Sequence, residues 1–174
     1  MDGTLPHAGP LAIRRARVDD LQAVELLINR ATDEMRRLGI EQWDELYPTQ
    51  NLLRADLAAG TMHVSFRDDR IAGVIVLNET QEPEYASVSW SVSGRPLVVH
   101  RLAVDPDFQR LGIATMLMRH AESLASAGYD AIRLDAFAKN PAAVSLYERL
   151  GYRRAGTVRF RKGEFICFEK PTRT

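Results

Sequence analysis

The sequence predicts an α/β domain, and three patterns along the chain support that prediction. Apolar residues at three-and-four spacing between Leu21 and Leu38 are typical of an amphipathic helix. Two apolar strands, Leu97 to Val104 and Ala131 to Phe137, flank a further segment with helical spacing and so form a strand–helix–strand unit. Short polar turns at 67–70 and 161–163 separate pairs of apolar strands and indicate two antiparallel hairpins.

Local end signals place the individual elements. Leu11 to Arg17 alternates weakly and predicts a first strand, and Asp19 or Asp20 can cap the first helix, which Gly39 ends. Thr49 can cap a second helix that ends at Gly60. The other predicted elements are strands at 62–66, 71–77, 97–104 and 131–137, helices at 109–128 and after Asn140-Pro141, a long functional loop at 79–96, and a closing hairpin of 152–160 and 164–169.

Length and composition limit the classes of protein. The chain has 174 residues, 45% of them hydrophobic, which suits a single domain at 11–174 after a mobile tail at 1–10. Basic and acidic residues number 23 each, so the zero net charge does not favour nucleic acid as a partner. The single cysteine, Cys167, excludes an internal disulfide, and no segment approaches the roughly 20 apolar residues that cross a bilayer. We therefore expect a soluble, cytoplasmic protein.

The most informative segment runs from Val99 to Thr115, where an apolar strand leads into the start of a helix. The first N–H groups of a helix have no partner inside it, and together with the helix dipole they form an anion site. Gly112 would let a phosphate approach the main chain closely, and Arg110 and Thr115 would add side-chain donors. These features predict a phosphate-bearing ligand at this turn.

This segment resembles the acyl-CoA-binding motif Q/R-x-x-G-x-G/A of the GCN5-related N-acetyltransferase (GNAT) family, with Gln109, Gly112 and Ala114 at its defining positions. A second segment, from Asn140 to Tyr152, resembles the other signature of that family. The resemblance implies a mixed, twisted, mostly antiparallel sheet flanked by helices, whose central strands splay around the pantetheine arm. It also implies acetyl-CoA as the cosubstrate.

The resemblance further implies a set of cofactor-binding residues. The loop and first helical turn would hold the pyrophosphate, and the preceding strand would bind pantetheine through its backbone. Asn140 would contact the cofactor, and Tyr147 would lie near the thioester sulfur. The full set is Leu102, Ala103, Val104, Gln109, Arg110, Leu111, Gly112, Ile113, Ala114, Thr115, Asn140 and Tyr147.

An acetyltransferase of this kind would let an amine attack the thioester carbonyl directly in a ternary complex. A lysine-like amine has a pKa of about 10.4, so its neutral form needs a base or a desolvating pocket. Tyr147 is the candidate general acid for the leaving thiolate, with packing in the core as the alternative reading. His100, Glu79, Glu82 and Glu84 are candidate bases, and a water chain could replace any of them.

The acceptor and the assembly are less constrained by the sequence. Trp43, Tyr85 and Trp90 are candidates to line the acceptor pocket, although both tryptophans could equally fill the core. A small amine or an amino acid is the leading acceptor, a peptide or lysine side chain is the alternative, and a non-catalytic acyl-CoA-binding regulator is a further one. His63 and His120 lack partners at ligand spacing, so no metal site is expected. An exposed edge of the closing hairpin would favour a homodimer.

Overall fold

The computed structural model describes residues 12–172, so the tail predicted at 1–10 lies outside the described residues. Seven strands form one sheet in the order β1-β2-β3-β4-β5-β7-β6, in which only the β4–β5 pair is parallel. The strands are β1 (Ala12–Arg15), β2 (Met62–Arg67), β3 (Arg70–Asn78), β4 (Pro96–Val104), β5 (Ala131–Phe137), β6 (Arg153–Phe160) and β7 (Gly163–Pro171). The helices are α1 (Leu21–Arg37), α2 (Gln50–Ala58), α3 (Ile113–Ala125) and α4 (Pro141–Arg149).

Helices cover both faces of the sheet. Strand β3 directs Val74 and Val76 into a core with α1 and α2, whereas Ile75 and Leu77 pack into a second core with α3 and α4. This alternation follows from the period of two along a strand whose faces are both covered. The mixed sheet with flanking helices confirms the predicted fold class.

Close packing of α3 against β3 fixes the start of α3 beside the end of β4. A Cβ atom at Gly73 would lie 2.9 Å from side-chain atoms of both Ile113 and Leu117, so only glycine allows this approach. The helix begins at Ile113, four residues later than predicted, because Gly112 has a left-handed conformation with φ of 77°. Gln109 to Gly112 therefore form a loop before the helix.

The other boundaries agree closely with the sequence predictions. Helix α2 is capped as expected, because the Thr49 hydroxyl accepts a hydrogen bond from Leu52 N at 3.2 Å. The loop at 79–96 contains only one short 3₁₀ helix, Pro83–Ser87. Strand β6 forms one edge of the sheet, the position that pairing into a homodimer would use, and the homodimer itself remains a prediction.

The sheet opens between β4 and β5. Their ladder includes only three residue pairs and ends at Val98 and Arg133, so the remaining parts of the two strands diverge. On the other side of β4, the register with β3 shifts at a bulge where Arg101 has φ of 47°. The divergence leaves an open strand edge, from Val99 to Val104, facing a cleft.

Candidate active site

The loop after β4 has the conformation of an anion site. Asp105 caps the turn by accepting a hydrogen bond from Asp107 N at 2.9 Å, and Arg30 of α1 contacts both carboxylates, at 3.1 and 2.8 Å. Arg110 and Gly112 both have positive φ, and a Cβ added to Gly112 would meet no atom within 4 Å. The loop thus presents the free N–H groups of the first turn of α3 to open space.

The predicted cofactor residues line the diverging strands. Leu102 to Val104 lie on the open edge of β4, and Gln109 to Thr115 form the loop and the first turn of α3. Asn140 caps α4 through its Oδ1, which accepts from Ala143 N at 3.2 Å, while its amide donates to Gln42 Oε1 at 3.0 Å. The open strand edge, which could pair with an extended chain, thus leads directly to the free N–H groups that could bind a phosphate.

A cavity of about 370 Å³ lies at the point where β4 and β5 separate. Its walls come from the segment before α2, the bulged part of β4, one residue each of β5 and α4, and the β6–β7 turn. The lining residues are Gln42, Trp43, Leu46, Tyr47, Glu82, Val99–Leu102, Asp135, Tyr147, Phe160–Lys162 and Phe165.

Asp135 is the ionisable group whose setting in the cavity best suits a base. Burial raises the pKa of its carboxyl to about 6, and the charges of Glu82 and Glu84 act in the same direction. The Tyr85 hydroxyl donates a hydrogen bond to Asp135 Oδ2 at 2.7 Å, which opposes that rise. A carboxylate with a pKa near 6 is ionised at neutral pH and is a stronger base than an ordinary aspartate. The sequence prediction did not include this residue.

His100 also borders the cavity, as predicted, but its environment makes it a weak base. Burial and the neighbouring Arg101 charge lower the pKa of the imidazole to about 4. Its Nε2 lies 3.0 Å from Asn78 Oδ1 and 3.1 Å from the Thr80 carbonyl oxygen. Because a carbonyl only accepts, the neutral ring carries its hydrogen on Nε2.

Tyr147 reaches the cavity from α4 and is held by aromatic packing. Its ring centroid lies 5.7 Å from that of Phe168 and 6.1 Å from that of Tyr152. Burial, followed by the Asp135 charge, raises the pKa of the phenol well above its usual value, so the hydroxyl keeps its proton at neutral pH. A protonated phenol bordering the cavity is the arrangement required of a general acid.

The three loop glutamates occupy different places. Glu79 lies outside the cavity, where it is ion-paired with Arg95 and accepts from the Tyr129 hydroxyl at 3.3 Å. The hydrogen bond from Arg95 lowers the pKa of Glu79. Glu84 is exposed on the other side of the loop, whereas Glu82 borders the cavity. The structure therefore brings Glu82, but neither Glu79 nor Glu84, to the predicted site.

The three predicted acceptor aromatics also separate. Trp43 lines the cavity. Tyr85 is buried and does not line the cavity, but its hydroxyl donates a hydrogen bond to Asp135, which does. Trp90 lies further away, donating from Nε1 to the Tyr85 carbonyl at 3.0 Å and stacking under Arg133. Of the three, only Trp43 is placed to touch an acceptor.

Arg101 is a cavity residue that sequence reasoning missed. It is buried, its Nε lies 2.7 Å from Asp56 Oδ2 of α2, and its Nη1 donates to the Tyr47 hydroxyl at 3.0 Å. These contacts join the β4 bulge to α2 and to the segment that covers the cavity. Nothing in the strand-like pattern of residues 97–104 indicates a bulge or a buried ion pair.

His63 and His120 meet across β2 and α3 with ring centroids 4.9 Å apart, a contact that their sequence spacing did not suggest. Across residues 12–172, no group of three or more His, Cys, Asp or Glu side chains is arranged to hold a metal ion. Over the same residues, no helix is both long enough and apolar enough to span a bilayer.

Comparison with known proteins identifies the family. The described residues form a mixed sheet whose central pair of strands diverges, and a loop that contains Gly112 follows the diverging strand β4. The sequence model of the acetyltransferase (GNAT) family matches residues 24–152, and the chain therefore belongs to this family. The predicted family is confirmed.

Individual relatives differ in what they share with this chain. The [ribosomal protein bS18]-alanine N-acetyltransferase of Salmonella typhimurium is 46% identical over 55 residues, a match that spans 31% of this chain and only 37% of that protein. The S-(2-succino)cysteine N-acetyltransferase of Bacillus subtilis is 28% identical over 166 residues, 92% of each chain. The crystal structure of the PaiA N-acetyltransferase of Thermoplasma acidophilum with coenzyme A has a TM-score of 0.72 at 18% identity, covering 94% of this chain and 99% of that one.

Proposed function

We propose that the protein transfers an acetyl group from acetyl-CoA to a primary amine of a small molecule or amino acid, by direct attack in a ternary complex. The observation that carries this proposal is the open edge of β4, which borders the cavity with Asp135 and Tyr147 at Val99–Leu102 and leads on at Val104 into the loop that contains Gly112. Coenzyme A bound to a relative of the same fold supports the cosubstrate.

The residues of the cavity divide the proton transfers between them. Asp135 accepts a proton from the amine, whose nitrogen then forms a bond to the thioester carbonyl carbon. As the carbon–sulfur bond breaks, Tyr147 donates its proton to the departing sulfur, and the nitrogen gives its second excess proton to the resulting phenolate, which leaves a neutral amide and a free thiol. Each group starts in the required form at neutral pH, since the pKa of Asp135 is about 6 and that of Tyr147 is raised by burial.

A small acceptor is favoured by the full-length relative that acts on S-(2-succino)cysteine. The shorter match to an enzyme that acetylates a ribosomal protein keeps a peptide N-terminus as the alternative acceptor. A cytoplasmic location, predicted from the single cysteine, belongs to the same proposal.

Thiol release from acetyl-CoA in the presence of a panel of amines tests the proposal. Tyr147→Phe should lower kcat by about 10²- to 10⁴-fold with little change in acetyl-CoA affinity, because the ring remains and only the proton donor is lost. Tyr152→Phe is the matched control, since Tyr152 belongs to the same aromatic cluster but does not line the cavity. Acetyl-CoA binding without thiol release for any amine would instead indicate the non-catalytic regulator.

A further inference from the structure

Two cations border the outer end of the cavity. Arg161 and Lys162 lie in the turn between β6 and β7, and both contact Asp44, at 2.7 and 2.8 Å. Two positive charges thus share one carboxylate, which leaves an excess of one positive charge. Their other N–H donors are available to a ligand, because a guanidinium has five donors and an ammonium three.

The Asp44 carboxylate is held independently of those cations. Its Oδ1 accepts from Leu46 N at 3.0 Å, and the backbone groups of Asp44 and Tyr47 bond to each other in both directions, at 3.0 and 3.2 Å. The turn at 44–47 is therefore closed by its own hydrogen bonds. The ion pairs with Arg161 and Lys162 are an additional contact rather than the source of the turn.

The opposite end of the cavity is acidic. Asp135 and Glu82 line it there, whereas the third cation of the cavity, Arg101, is already engaged by Asp56 and Tyr47. In the β5–β7 ladder, Asp135 lies opposite Cys167. Gly163, which directly follows Lys162, lies four residues before Cys167 on β7. At about 3.3 Å per residue, the two ends are separated by roughly 13 Å of strand.

The cavity is therefore cationic at one end and acidic at the other, which suits an acceptor with opposite charges at its two ends. Resting on the proposed function, we propose that the acceptor amine carries a carboxylate several bonds from its nitrogen, and that this carboxylate binds the N–H donors of Arg161 and Lys162 that Asp44 does not use. The amine then lies at Asp135 and Glu82. The α-carboxylate of a simple amino acid, one carbon from the nitrogen, is too close to the amine to reach the two cations. The apolar chain between the two groups passes Phe165 and Trp43.

A series of ω-amino acids with four to eight carbons tests this inference when each is compared with the compound in which its carboxylate is replaced by a carboxamide. The members of each pair have the same length and differ only in the remote charge. KM for acetyl transfer should be about 10-fold lower for the carboxylate than for the amide at the favoured length, since hydrogen bonds to charged groups are the stronger ones. Calorimetric Kd values on protein saturated with coenzyme A give the same comparison without turnover.

Variants distinguish two roles of Arg161 and Lys162: binding the carboxylate of the acceptor, and holding the turn at 44–47 through Asp44. Arg161→Gln with Lys162→Gln should raise KM for the carboxylates by about 10-fold or more relative to KM for the amides of the same length. Asp44→Asn keeps the bond to Leu46 N but removes the competing charge, so KM for the carboxylates should fall. Arg154→Gln is the control, because Arg154 is an exposed β6 arginine that is paired with Glu148 outside the cavity.

The possible results distinguish this inference from the proposed function. Equal KM and Kd for carboxylates and amides at every length would overturn the inference while acetylation itself continues. A rise of KM for both kinds of acceptor in Asp44→Asn would show that the ion pairs only brace the loop. Preferential binding of the carboxylates without any thiol release would support the anion site and overturn the proposed function.

Discussion

The two ends of the cleft are built in different ways. The proposed cofactor end is centred on one continuous segment, Gln109 to Thr115, and it depends on backbone conformation, with positive φ at Arg110 and Gly112. The acceptor end consists of side chains from separate segments, including Trp43, Asp135 and the β6–β7 turn. Substitutions at the acceptor end can therefore change the choice of substrate without altering the cofactor loop, whereas the loop tolerates changes of side chain better than changes of backbone.

Gly112→Trp should have the largest effect, because it places an indole in the space left open in front of the first turn of α3. Affinity for acetyl-CoA, measured by calorimetric titration, should fall by about 100-fold or more as the phosphates lose the backbone donors. Leu111→Ala, a change of an exposed side chain in the same loop, should leave the affinity nearly unchanged.

Gly39→Trp is the matched control for that variant. Gly39 and Gly112 have φ of 75° and 77°, and neither has an atom within 4 Å of an added Cβ. Both variants therefore carry a similar backbone strain of about 1–2 kcal/mol. Equal losses of affinity in the two variants would attribute the effect to strain and remove the loop from the cofactor site.

Asp135→Asn should affect the acceptor end alone. We expect kcat to fall by about 10²- to 10⁴-fold, because the amide cannot accept the proton of the amine, and we expect the Kd of acetyl-CoA to stay the same. Glu82→Gln removes the other carboxylate of the cavity and should lower kcat by less than about 10-fold. A larger loss in Glu82→Gln than in Asp135→Asn would assign the base to Glu82.

The difference between the two ends also explains what the sequence could predict. Gln109, Gly112 and Ala114 lie within six residues, so a local motif contains the whole loop. Asp135 is one of two charged residues in an otherwise apolar strand, and its pKa depends on burial and on Tyr85, which is 50 residues away. No local pattern carries that information.

Glu79 and His100, two of the predicted candidate bases, also have environments that depend on distant segments. Glu79 shared the predicted loop with Glu82, but Arg95 pairs with it outside the cavity, a contact that loop composition cannot show. His100 has the strand position that was predicted, yet burial, followed by the neighbouring Arg101 charge, lowers the pKa of its imidazole and makes it a weak base. The fold could be predicted from periodicity and turn residues, which are local features of the sequence. The electrostatics of the site could not, because they depend on packing between distant segments.

The smallest expected effect, and the finest test of the acceptor end, comes from Tyr85→Phe. The Tyr85 hydroxyl stabilises the charged form of Asp135, so its removal should raise the pKa of that carboxyl above about 6. A base must be deprotonated to act, and the acid limb of kcat/KM should therefore move to higher pH. A hydrogen bond to a charged group contributes about 1.5–3 kcal/mol, which sets the shift at between about one and two pH units.

The variant should consequently lose activity at pH 6 and keep it at pH 8. Tyr129→Phe is the matched control, because it also removes a tyrosine hydroxyl from a carboxylate, that of Glu79, outside the cavity. Its pH profile should equal that of the unmodified protein. A shift in Tyr129→Phe with none in Tyr85→Phe would return the role of base to Glu79, and the acceptor end would then have to extend beyond the cavity to the outer side of the 79–96 loop.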